Sequence, residues 1–287
     1  GGLQEIKVRS DFTFWLDDHY RMTVSSTHRY VTRDGRDGVD SVNDYVPGFT
    51  VKTGYVSGKY WYAGAGIGTE FYFDRSFISP EAYVGYDNTV YASKFSAEWN
   101  RLTDDPVEAV DRLGRNTRLL FSQNLDLKNG FSLRHELDVR FLTVDRYANI
   151  FNGDKDLGYR FSHLYGADYT LFKIPYTSVF YNYVSSRWEQ PFEDIETIIP
   201  YLEEESRHTA GIYSEIELSK KLKLIGSIAH GRDRKRDVHL TVYSGSVEYA
   251  VNPENIIKCS YEYDYGDSGT LGAGNTTVIT AAYARYF

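Results

Sequence analysis

The chain has one cysteine, Cys259, one methionine and seven prolines in 287 residues. A lone thiol closes no intramolecular disulfide and builds no cysteine zinc centre. Such scarcity is common in proteins exported to an oxidising compartment. No stretch approaches the roughly 18–20 consecutive apolar residues of a membrane-spanning helix. The first residues lack a basic-then-apolar leader, so for an exported chain the leader is expected to have been removed already. Excess positive charge is missing: the formal net charge is −8, against the clustered basic face that nucleic-acid phosphates demand. Helical patterning is missing too, with no sustained apolar repeat at i, i+3, i+4, i+7. There is no glycine-rich phosphate loop, no histidine metal spacing, and no Ser/His/Asp set that position and parity would bring together. No enzyme activity, cofactor or metal is therefore expected.

What is abundant is aromatic or small: 26 tyrosines, 16 phenylalanines and 24 glycines, a balance that favours strands and tight turns. The side-chain period is two almost throughout. Over residues 131–141, Phe131, Leu133, His135, Leu137, Val139 and Phe141 share one face, and Ser132, Arg134, Glu136, Asp138 and Arg140 the other. Residues 156–171 set Leu157, Tyr159, Phe161, Tyr165, Ala167, Tyr169 and Leu171 against Arg160, Ser162 and Asp168. Residues 58–73 set Trp61, Ala63, Ala65, Ile67, Phe71 and Phe73 against Gly64, Gly66, Gly68 and Glu70.

Connections alternate in length. Short ones fall at 57–58, 87–88, 128–130, 173–175, 219–221 and 252–255. Long, charged ones fall at about 33–47, 74–80, 101–115, 146–156, 187–206, 232–237 and 266–275. Tight turns alternating with long polar loops mark an outer-membrane barrel, whose hydropathy stays low because only every second residue faces lipid. Fourteen strands lie between the connections, at about 20–32, 48–56, 59–73, 78–86, 89–100, 116–127, 131–145, 157–171, 176–186, 207–218, 221–231, 238–250, 256–265 and 276–287. Most reach the ~9–11 residues that a tilted strand needs to cross a bilayer. The expected fold is an all-β, transmembrane, antiparallel up-and-down barrel over residues 20–287, with short periplasmic turns and long extracellular loops.

An even strand count puts both chain ends on the periplasmic side. Phe287 shares a face with Tyr283 and Ile279, interrupted by Arg285; a terminal aromatic after a strand is the usual signal to the barrel-assembly machinery. Residues 1–19 are left over. Ile6, Val8, Phe12, Phe14 and Leu16 alternate with Lys7, Arg9, Asp11 and Trp15. A fifteenth strand would break the even count, so this segment is expected to be an N-terminal arm outside the wall. About 16 extended residues span roughly 50 Å, longer than the bilayer core. Lys7, Arg9, Phe12, Phe14 and Trp15 therefore form a candidate plug inside the pore. A periplasmic tail and an extra strand at the sheet seam are the alternatives.

The layout from about Tyr20 to Phe287 resembles the monomeric, fourteen-stranded porins of the outer membrane protein G type. Local echoes are Ser79-Pro80-Glu81-Ala82-Tyr83-Val84-Gly85-Tyr86, and Ser260-Tyr261-Glu262-Tyr263-Asp264-Tyr265 before a Gly/Asp loop and an aromatic-ended strand. The layout is also similar to that of the cyclodextrin-transporting porin, which carries an N-terminal segment in its lumen. The resemblance implies a monomeric channel for sugars, oligosaccharides or other small polar solutes.

In hydrocarbon every backbone amide needs a partner, so the sheet must close. Fourteen strands enclose more space than side chains fill. The polar half of each strand should line the lumen: Arg21, Arg29, Lys52, Glu70, Glu81, Arg118, Arg134, Glu136, Asp138, Arg140, Arg160, Asp168, Glu215, Glu217, Lys223, Glu262 and Asp264. These charges either keep the lumen wet and the barrel rigid or set a transverse field that selects solutes. Trp61, Trp99, Tyr91, Tyr159, Tyr261 and Tyr283 are expected in interfacial girdles. Tyr60, Tyr62, Tyr72 and Tyr83 have inward parity and could stack sugars. His135, His163 and His208 share parity with lipid-facing residues. The acidic run Glu203-Glu204-Glu205 reads as a solvated face. The basic run 232–237 could meet anionic headgroups, so the expected partners are outer-membrane lipid, lipopolysaccharide and small polar solutes. A non-conducting structural or adhesive barrel is the second reading, and an outer-membrane enzyme the third.

Overall fold

The computed structural model describes residues 3–33, 42–57, 60–72, 75–102, 114–147, 151–189, 204–235, 237–252, 255–267 and 276–286. Among the described residues fifteen strands follow one another: β1 (Leu3–Trp15), β2 (Tyr20–Arg33), β3 (Val42–Ser57), β4 (Trp61–Tyr72), β5 (Arg75–Asp87), β6 (Tyr91–Leu102), β7 (Arg115–Asp126), β8 (Phe131–Tyr147), β9 (Phe151–Lys173), β10 (Tyr176–Glu189), β11 (Glu205–Ser219), β12 (Leu222–Asp233), β13 (Val238–Asn252), β14 (Asn255–Asp267) and β15 (Thr276–Tyr286). Each pairs with its sequence neighbour, and β1 also pairs with β15, closing a barrel. The fourteen strands β2–β15 form an antiparallel up-and-down series, as the alternation of turns and loops predicts.

β1 corrects the expected organisation. Leu3–Trp15 is a wall strand, not an arm or plug: it runs antiparallel to β2 from Leu3↔Arg33 to Trp15↔Arg21, and parallel to β15 from Gln4↔Thr277 to Thr13↔Tyr286. The boundary at residue 19 therefore separates no domain. The even-count rule fails because a parallel seam closes an odd number of strands. β1 starts at the rim of the long connections, whereas β15 ends at the rim of the tight turns. The described ends thus lie at opposite rims, not together.

Local chemistry sets the tight-turn rim. Between β1 and β2, Asp17 Oδ1 accepts the backbone N–H groups of His19 at 2.7 Å and Tyr20 at 2.8 Å. These bonds favour the ionised carboxylate and hold its pKa below the ordinary value. Between β7 and β8, Asn129 (φ 69°) and Gly130 (φ 79°) both take left-handed backbone, the conformation a tight hairpin requires and Asn-Gly supplies.

At the other rim the strands outrun their expected bounds. β3 begins at Val42, β5 at Arg75 and β9 at Phe151, so much of the segments assigned to loops 33–47, 74–80 and 146–156 is paired sheet. Both faces of such extensions can be polar, and the alternation that reveals a strand fades there. Phe287, Glu203, Pro191 and Arg236 lie outside the described residues.

Pairing carries one face around the whole ring, because the side-chain period is two. Glu217 lies opposite Lys223, then come Glu248, Lys258, Ala282, Arg9, Thr27, Gly48 and Glu70. The parity is the same on crossing the parallel seam. The opposite face presents exposed Phe12, Phe49, Ile67, Phe95, Phe141, Phe161, Ile212, Ile228 and Val247. Buried hydrophobic side chains among the described residues are few, led by Val46, Phe77 and Leu142. A soluble sandwich would bury its large apolar groups; this barrel turns them outward.

Candidate functional site

Side chains on the inner face converge, and several interact across an entire intervening strand. Lys52 Nζ on β3 lies 2.6 Å from Glu81 Oε1 on β5, passing over Gly66 of β4. A Cβ at Gly66 would stand 2.8 Å from Glu81 Oε1 and 2.9 Å from the Val51 carbonyl oxygen, so only glycine leaves this bridge its path. Gly64 does the same for Tyr83, whose ring would meet a Cβ at 2.4 Å. Arg134 Nη2 on β8 donates to Asn182 Oδ1 on β10 at 3.3 Å, over Gly166.

One register row concentrates charge. Glu81 lies opposite Glu98, Glu98 opposite Arg118, Arg118 opposite Arg140, and Arg140 opposite Arg160. Two carboxylates on β5 and β6 thus face round to three guanidinium groups on β7, β8 and β9. Like charges on adjacent strands repel, and Asp138 relieves this. It accepts from Arg118 Nε at 3.0 Å and from Arg140 Nε at 2.9 Å. Arg160 pairs with Glu205 at 3.2 Å. The side chains of Asp138, Arg140 and Arg160 are only 15, 16 and 13 % exposed, so the cluster is packed. On the acidic side Lys52 neutralises Glu81 and Arg101 Nη1 lies 3.0 Å from Glu98 Oε2. An opening lies beside Arg9, Arg29, Thr50, Lys52, Glu70, Glu81, Glu98 and Arg101. A second lies toward the tight-turn rim beside Arg134 and Asp168.

The remaining expected residues fall on the same face. Arg21 approaches Gly54, and Arg29 is buried next to the opening beside Lys52. Arg134 and Glu136 stand 3.8 Å apart. Lys223 bonds Glu215 and lies opposite Glu217 in register. Glu262 lies opposite Ser244 at an inner-face position of β14, and Asp264 lies opposite Val242 in register. Among the plug residues, Arg9 and Asp11 bond each other at 2.8 Å on the inner face, and Phe12 is exposed on the outer. Tyr62 and Tyr83 have inner parity, with ring centroids 6.2 Å apart. Tyr60 sits instead in the β3–β4 turn, its ring 5.7 Å from that of Tyr86. Trp61, Trp99, Tyr159 and Tyr261 are exposed outside.

Sequence reading missed inner-face residues that strand parity could have supplied: Lys94 and Glu98 on β6, and Glu248 and Lys258, which bond at 2.8 Å. Arg101 falls in the expected connection at 101–115, yet it belongs to β6, beyond a register shift between Glu98 and Arg101. Glu205 corrects the acidic run: it is not a solvated loop residue but the first residue of β11, paired with Arg160. Glu204 bonds Lys235 at 2.7 Å.

The chain is similar to OmpTdeltaL8, a loop L8 deletion mutant of OmpT, an outer membrane protein of Vibrio cholerae. The identity is 10 %, the TM-score 0.46, and the match covers 90 % of this chain and 95 % of that one. No protein-family model and no curated protein matches the chain.

The inner face offers no grouping of three or more His, Cys, Asp or Glu able to hold a metal among the described residues. Its chemistry is that of a wall charged with both signs: acidic and basic side chains on neighbouring strands, partly cancelled by ion pairs, with small residues between them.

Proposed function

We propose that the chain is an outer-membrane channel of porin type, through which small hydrophilic solutes diffuse passively, sugars and oligosaccharides among them. The observation that carries the reading is the inside-out barrel: a largely apolar exterior around a wall lined by ion pairs. Such a surface belongs in hydrocarbon, where only a closed sheet satisfies the backbone. Fifteen strands enclose more room than side chains fill, and the openings beside Lys52 and Arg134 are parts of that surplus.

Glu81 and Glu98 on β5 and β6, next to Arg118, Arg140 and Arg160 on β7–β9, give this side of the wall a field that runs along the ring from acid to base. Dipolar solutes orient in such a field, and ions of either sign meet a favourable wall. Tyr62 and Tyr83 add ring faces for sugar stacking. In this reading the chain works as a monomer of the outer membrane protein G type and catalyses no reaction. Outer-membrane lipid and lipopolysaccharide surround it, and its C-terminal strand addresses the barrel-assembly machinery.

The test is reconstitution of the purified chain. Planar bilayers should show stepwise ohmic currents, and liposomes should swell in sugars at rates that fall with solute size. A chain that inserts and yields neither current nor swelling would leave a non-conducting structural barrel as the better reading.

A further inference from the structure

The apolar exterior is interrupted in one sector. On β10–β13, the outer face near the long-connection rim carries Tyr183, His208, Arg232 and His239 opposite one another in a single register row. Arg234, whose backbone N–H donates to the Ser206 carbonyl at 2.9 Å, continues the patch. His230 lies one step closer to the tight-turn rim. Arg187 on β10 has outward parity in the same sector. One outward row further toward the tight-turn rim than His230, Ile212, Ile228 and Tyr243 form an exposed apolar row. The patch is therefore amphipathic along the barrel axis: apolar first, then His230, then Arg232 in one row with His208 and His239.

We infer that this sector is a docking site for the phosphorylated headgroup of a membrane lipid. The acyl chains lie against Ile212 and Ile228, and the phosphate is met by Arg232, Arg234 and the imidazoles. The inference rests on the membrane-spanning part of the reading above, not on conduction. Charge complementarity selects the occupant, because guanidinium forks bind phosphate bidentately. The ring network pre-orients the donors. The Tyr181 hydroxyl lies 2.6 Å from His208 Nδ1, and the Tyr183 ring centroid lies 4.6 Å from that of His208. His230 Nδ1 lies 3.0 Å from Thr241 Oγ1, and its ring stacks on His239 at 6.1 Å. Arg232 bonds Asp237, a loop carboxylate 76 % exposed. Arg232 holds that carboxyl below its ordinary pKa, so Asp237 is an exposed carboxylate on the guanidinium that the phosphate would contact.

The chain, reconstituted in phosphatidylcholine vesicles with graded phosphatidic acid and then extracted in mild detergent, can be weighed by native mass spectrometry for retained lipid. Retention of phosphatidic acid over phosphatidylcholine is expected, about tenfold weaker in the Arg232→Gln/Arg234→Gln variant as charge-assisted bonds are lost. Recovery is expected in Arg232→Lys/Arg234→Lys. Millimolar inorganic phosphate should not displace the lipid. Equal retention of both lipids, an unchanged glutamine variant, or displacement by free phosphate would each overturn the assignment. If the glutamine variant fails to fold, the unmodified chain's lipid preference and the phosphate competition still decide. Lipid preference without current would overturn only the channel reading, whereas failure to enter vesicles would overturn the membrane reading.

Discussion

Removing residues 1–16 distinguishes a wall strand from a plug, because the two predict opposite signs. β1 holds thirteen register positions against β2 and ten against β15. β2 and β15 run in opposite directions, so without β1 they can pair as ordinary antiparallel neighbours and close a fourteen-strand barrel. With strands ~4.8 Å apart and tilted ~40°, the backbone radius falls from about 15 Å to about 14 Å. The backbone cross-section drops by about 13 %, and the open area by more, since the inner side chains form a collar of fixed depth. Arg9 also leaves the wall beside the opening at Lys52, together with its partner Asp11. Single-channel recordings in symmetric salt should therefore show a conductance about 15–25 % lower, with unchanged or shorter openings. A truncated chain that conducts more, or stays open longer, would refute the wall placement and restore the plug.

Further outcomes follow from the inner and outer faces. Arg140→Ala removes one of three aligned guanidinium groups and leaves Asp138 with Arg118 alone; the reversal potential in a salt gradient should move toward cation selectivity. Phe95→Arg on the outer belt should cost about 2–4 kcal/mol in vesicle unfolding, whereas Ser96→Arg on the inner face should leave stability nearly unchanged. Gly64→Ala drives a methyl into the Tyr83 ring and the Thr53 carbonyl, both at 2.4 Å. It should lower unfolding stability by about 1–3 kcal/mol in urea titrations. Asp17 has a lowered folded pKa, so its contribution to the β1–β2 turn is present above about pH 4 and lost as pH falls further. Asp17→Asn should flatten the thermal-stability profile over that acidic range.

The inner list was readable because each strand announces its two faces. Arg134, Glu136, Asp138 and Arg140 alternate with Leu133, His135, Leu137 and Val139, and no partner is needed to know that they face together. The same parity placed His135, His163 and His208 outside. What could not be read is how one strand's charges align with the next. The Arg118–Arg140–Arg160 row and the Arg160–Glu205 pair depend on register and on a strand start that a polar loop composition hides.

Alternation along the chain thus determined the strands, the tight turns such as Asn129-Gly130, and the division of side chains into two sets. Only the tertiary structure decided that β1 belongs to the wall, that the seam beside it is parallel, and which charges share a ring. The reason is range: side-chain period and turn conformation are local properties of a few residues. Closure joins β1 to β15, at opposite ends of the chain, and becomes defined only when every intervening strand has taken its register.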